Sequence, residues 1–138
     1  MGHPIHVVGG RPRDGYFYLC DDLVRTGVRE LGSDGFVLLA YLLSRAGNSK
    51  GKPFETSPVR VSGDLGWGRN RERVRRALAI AAKEHRLVIR RFERDGRELA
   101  TRWAYVVAAG GRKFTDWELT EYGQPIVLRP RMSPEGGS

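Results

Sequence analysis

The chain predicts an α+β fold, a three-helix core with a β-hairpin at its side. Three observations carry this. A helix capped by Ser57, with Pro58 in its first turn, leads through the turn Gly66-Trp67-Gly68 into a second helix capped by Asn70. That second helix, 70–85, places Val74, Ala77, Leu78, Ala81 and His85 on one face at helical spacing. Two β-rich runs, Leu87 to Phe92 and Thr101 to Val107, flank Asp95-Gly96, a strong hairpin-turn signal.

The 138 residues suit one domain with tails, and 40% apolar content supplies a small core. Residues 1–14 are expected to form a flexible basic arm. Residues 15–109 hold the folded domain, and 110–138 are read as linker, short helix and disordered tail. The formal charge is +8. Between Ser57 and Arg102 stand 13 Lys/Arg against 6 Asp/Glu, a net +7, so nearly the whole excess falls on one unit. A charge localised in this way attracts polyanions, whereas a scattered one chiefly aids solubility. Arginine outnumbers lysine, which favours planar, bidentate partners such as phosphate.

Taken in order, the arm contains Gly10-Arg11-Pro12-Arg13. A Gly-Arg-Pro core suits a narrow minor groove, which would give Arg11 and Arg13 a role. Gly9 stands where a basic residue usually precedes that core, so a disordered Pro/Arg tail is the preferred reading. Tyr16 to Leu19 is read as a buried aromatic strand. Cys20, the only cysteine, excludes an intrachain disulfide and is read as a small buried side chain. Asp21 to Arg25 is expected to form one helical turn, stopped by Gly27.

The first long helix is expected from Ser33 to Gly47, with Phe36, Leu39, Ala40 and Leu43 at i, i+3, i+4, i+7. Its other side is also apolar, which marks a central helix. Pro53 to Thr56 allows a short strand. In the helix after Ser57, Val61 and Leu65 face inward, and Gly63 is read as an allowance for close packing. After the hairpin, Ala108 to Gly111 reads as a linker. Thr115-Asp116-Trp117-Glu118 has the capping-box pattern of a two-turn helix ended by Gly123. Trp117 and Tyr122 on that helix would need cover.

Five arginines lie between positions 69 and 76 with one acid, Glu72. A helix so charged repels itself unless an anion is present. Arg69, Asn70, Arg71, Arg73, Arg75 and Arg76 are therefore the expected contacts of a nucleic-acid-reading helix. Arg90, Arg91, Arg94, Arg97 and Arg102 on the hairpin are expected along the phosphate backbone. The bland alternative is a solvated charged face.

From Tyr16 to about Val107 the chain resembles the winged helix-turn-helix proteins of phages, plasmids and mobile elements. The residues that carry the likeness are the leucine-rich helix Phe36 to Leu43, Ser57 with Val61, Leu65-Gly66, and Val74-Arg75-Arg76-Ala77-Leu78. A Leu-Val-Ile strand with a basic hairpin completes it. The resemblance implies a winged helix-turn-helix domain, double-stranded DNA as partner, and a homodimer. Two positions depart from it: the helix cap is displaced to Asn70, and Arg86 stands where glycine commonly precedes the strand. Arg86 is then either a strained helix exit or another phosphate contact.

Three functions stay open. The first is a DNA-binding transcriptional regulator. The second is a replication initiator or accessory, or an excisionase-like architectural factor, with a protein partner on residues 110–125. The third is a winged-helix module for protein or RNA. No catalytic motif, cofactor signature or metal-ligand spacing is visible; His3 and His6 make no rigid site, so no enzyme, cofactor or metal is expected. Neither a secretory signal nor an apolar run of membrane-spanning length is present, so a cytoplasmic, nucleoid-associated location with no membrane partner is expected.

Overall fold

A computed structural model describes residues 8–9, 16–46 and 54–130. The arm residues Arg11 and Arg13, the expected helix stop Gly47 and the tail 131–138 lie outside the described residues. The fold is α+β. A helical turn, Leu23–Gly27, runs directly into α1, Val28–Ala46. The expected stop at Gly27 is not there, because Gly27 is buried for a different reason: a Cβ on it would lie 2.9 Å from Leu23 and 3.0 Å from the Arg86 guanidinium. The backbone breaks instead at Gly32 (φ 71°, ψ 175°), one residue before the expected start at Ser33. Leu38, Leu39, Leu42 and Leu43 face the core, while Val37 is exposed.

Helix α3, Arg71–Lys83, packs on α1, and α2, Pro58–Asp64, packs on α3, with Val61, Val74, Ala77, Leu78 and Ala81 in the shared core. Ser57 accepts from the Arg60 N–H at 3.2 Å, and Asn70 accepts from the Arg73 N–H at 3.1 Å, as their capping positions predict. Gly63 meets nothing within 4 Å, so it serves no close approach.

The sheet has the order β1-β3-β2-β4, built from β1 Phe54–Glu55, β2 Val88–Arg94, β3 Arg97–Val106 and β4 Ile126–Val127. β2 and β3 are antiparallel, with Arg91 opposite Trp103 and Arg94 opposite Arg97. Asp95 (φ 54°) and Gly96 (φ 75°) both take left-handed backbone, as a tight hairpin turn demands. β4 pairs with β2 in parallel, placing Phe92 beside Ile126. One sheet face joins the helices through Leu87, Ile89, Trp103 and Tyr105; Val88, Ala108 and Phe114 form a second cluster.

Several expectations are corrected here. Tyr16 to Leu19 forms no strand, and Tyr16 and Tyr18 are 61% and 63% exposed. Cys20 is only half-buried. His85 does not share the α3 core face. It takes left-handed backbone (φ 61°) just past the helix, with its side chain exposed and its carbonyl accepting from the Phe114 N–H. The stretch read as linker is packed: Gly110 and Gly111 are buried, and a Cβ on Gly111 would sit 2.5 Å from Leu23.

Arg86 is fully buried, which excludes it as a phosphate contact. Its guanidinium donates to the Gly111 carbonyl at 3.0 Å and to Asp22 at 2.8 Å. The capping box forms at Thr115 and Glu118, opening α4, Asp116–Tyr122. Trp117 remains 68% exposed on it. Among the described residues no helix is long and apolar enough to cross a membrane.

Candidate nucleic-acid interface

The turn between α2 and α3 is held from inside by one side chain. Ser62 is fully buried; its hydroxyl donates to the Gly68 carbonyl at 2.8 Å and accepts from the Asn70 N–H at 2.9 Å. The Trp67 N–H adds a bond to the Ser62 carbonyl. These bonds set where α3 begins, and hence where its arginines project.

Arg73 does not stand free. It donates through two nitrogens to Asp34 of α1, at 2.8 and 2.9 Å, and its guanidinium lies 4.1 Å from the centre of the Trp67 ring. The bond from Arg73 holds the Asp34 carboxyl below its ordinary range, and the same bond raises Arg73. Arg73 is thus a strut joining α1, the turn and α3, with its guanidinium already engaged by Asp34. On the other side of the turn, the Tyr41 hydroxyl donates to Asp64, tying α1 to α2. Burial, then the bond to Asp64, raises the Tyr41 hydroxyl above its usual pKa.

The hairpin arginines divide in the same way. Arg90 donates to the Gln124 carbonyl and Arg94 to the Arg129 carbonyl, so both hold the C-terminal segment against β2. Arg91 pairs with Glu98 and stacks on Trp103. Arg102 pairs with Glu55 and stacks on Phe92. Of these five hairpin arginines, only Arg97, at the tip, has an exposed side chain with no hydrogen bond or ion pair among the described residues.

On α3 and the residues before it, Arg69, Arg71, Arg75 and Arg76 are likewise exposed and without such partners. At 100° per residue they fall on two sides. Arg71 and Arg75 line a cleft with Ala100 and Trp103 of β3, so the helix and the hairpin strand adjoin there. Arg76 lines a groove on the α1 side with Asp34, Asn70 and Ile80. Ala79 lies outward between them and is exposed. Among the described residues no group of His, Cys, Asp or Glu is placed to hold a metal ion.

The chain matches no known family model, no curated protein and no solved structure. The surface must therefore be read on its own chemistry. Sequence reasoning missed Ser62, Asp34 and Trp67 as parts of this site. A serine inside a short helix, five residues after its cap, was the one available signal, since a buried hydroxyl must find partners.

Proposed function

We propose that this chain binds duplex DNA with sequence preference, as a small transcriptional regulator on the winged helix-turn-helix plan. In this reading α3 enters the major groove by its N-terminal end, with Arg69 and Arg76 toward base edges. The hairpin lies along the flanking backbone, with Arg97 toward phosphate.

One observation carries the reading. Among the described residues, the side chains of four of the five arginines between 69 and 76 have no hydrogen bond or ion pair, whereas Arg73, Arg86, Arg90, Arg91, Arg94 and Arg102 each have an acceptor. The fold pairs those six and leaves four arginines together at the start of α3, while Arg25, Arg29, Arg60 and Arg97 stand unpaired singly elsewhere among the described residues. Guanidiniums left together in this way repel one another until an anion arrives. The positive end of the α3 dipole adds to the same attraction. The element order, helix, strand, two helices and a hairpin, agrees with the plan.

The test is retention of sequences from a random duplex pool. The expected result is an enriched motif, as an inverted repeat if two copies bind symmetrically. Retention without enrichment, at about 10⁻⁴–10⁻⁶ M in physiological salt, would reduce the arginines to a nonspecific patch.

A second reading, a replication initiator or accessory, is favoured by Trp117. An indole left exposed on a short capped helix offers an anchor for a protein partner. Enriched direct repeats, together with a protein captured by the full chain and lost with Trp117→Ala, would support it over the first.

A further inference from the structure

We propose that the cleft between α2, α3 and β3 seats one phosphodiester unit of a nucleic-acid backbone, clamped by Arg71 and Arg75. This rests on the duplex-binding reading. It assigns two of the unpaired arginines to positioning rather than to base recognition, where the sequence had placed them.

The cleft has a volume of about 220 Å³. Arg71 and Arg75 stand four residues apart on α3, one turn above the other, and both line it. Neither side chain has a hydrogen bond or ion pair among the described residues. Like charges at this spacing repel. A single anion between them replaces the repulsion with two charge-assisted hydrogen bonds.

Two of the residues that line the cleft also carry a buried polar atom without a hydrogen-bond partner among the described residues. The Thr56 hydroxyl and the Trp103 indole N–H are both closed off from solvent with nothing to bond. Buried donors of this kind normally find an acceptor. A phosphate or ester oxygen entering beside Arg71 and Arg75 supplies one. The Ser57 hydroxyl is already committed to its helix cap, so it is no part of the clamp. The other lining residues, Pro58, Val59 and Ala100, are apolar and share the cleft with the Trp103 side chain. A free phosphate gains nothing from such a wall, whereas the sugar of a backbone unit packs on it. The cleft thus favours phosphate with its sugar, leaving the base outside.

The test follows the three indole N–H signals of the ¹⁵N-labelled full chain by NMR, with the Trp103 signal assigned through Trp103→Phe. Three probes are added in turn: inorganic phosphate, the dinucleoside monophosphate of thymidine, and a random-sequence duplex. The Trp103 signal is expected to shift with the duplex and with the dinucleotide, and far less with inorganic phosphate at equal concentration. Arg71→Gln and Arg75→Gln should each abolish that shift. Each should also lower the salt slope of duplex binding by about 0.9, with the enriched motif unchanged. A duplex that binds while the Trp103 signal stays still overturns the clamp and leaves the duplex reading standing. An equal response to inorganic phosphate marks a free-anion site and overturns the backbone assignment. Failure of any duplex to bind overturns both.

Discussion

Arg73 and Asp34 stand 39 positions apart and meet in a two-pronged ion pair, each guanidinium nitrogen on its own carboxylate oxygen. Bidentate geometry of this kind fixes orientation as well as proximity. It sets the tilt of α3 against α1, and with it the direction of every other arginine on that helix.

Arg73→Ala should therefore lower the melting temperature and leave the enriched DNA motif intact, with affinity for all duplexes falling together. Asp34→Ala should do the same, and the double variant should be little worse than either single one, because both delete one interaction. Thermal melts and pool selection on the four proteins check this. A relaxed motif in Arg73→Ala alone would return Arg73 to the base edges.

Arg76→Ala and Arg97→Ala should separate reading from holding. Losing Arg76 is expected to relax preference at one position, by about 1–3 kcal/mol if it makes a good contact with guanine. Losing Arg97 should weaken all sequences alike and reduce the salt slope by about 0.9. Competition titrations at several salt concentrations distinguish the two patterns.

Ser62→Ala leaves the Gly68 carbonyl and the Asn70 N–H without their shared partner. Stranding a buried polar group costs about 1–3 kcal/mol, and these two part-buried groups should fall at the lower end. Urea unfolding should show that loss, with the m-value unchanged.

Glu118 supplies an acid-sensitive joint. The bond from Arg112, with those at Thr115, lowers its carboxyl from 4.5 to about 2. A depressed carboxylate stabilises the folded state above its unfolded pKa and loses that contribution as protonation sets in. The α4 anchor should thus hold above pH 4.5 and weaken steadily toward pH 2. Glu118→Gln should melt lower at neutral pH and show a flatter acid limb than the parent, read by circular dichroism.

What the chain disclosed in advance, and what it hid, divides by sequence distance. Ser57 with Pro58, Asn70, Asp95-Gly96 and Thr115 with Glu118 act on neighbours within four residues, so their caps and turns were readable. Arg73 and Arg86 find their carboxylates 39 and 64 positions away, and nothing local distinguishes them from arginines left in water. The hold of Arg90 and Arg94 on the C-terminal segment was equally hidden, because the carbonyls they reach lie 34 and 35 residues on. Tyr16 to Tyr18 read as a buried strand because aromatic composition reports propensity, not whether another element arrives to cover it.

Gly111 sits where even an added Cβ would meet Leu23, Leu39 and Leu43, and this has a consequence for synthesis. The leucines leave the ribosome long before the glycine that closes over them. Until about residue 111 has emerged, the nascent chain carries an open apolar seam on its first helix, the kind of surface that recruits chaperones or aggregates. A stalled or nicked product ending at the hairpin would retain every arginine of the candidate interface and still lack the piece that seals its core.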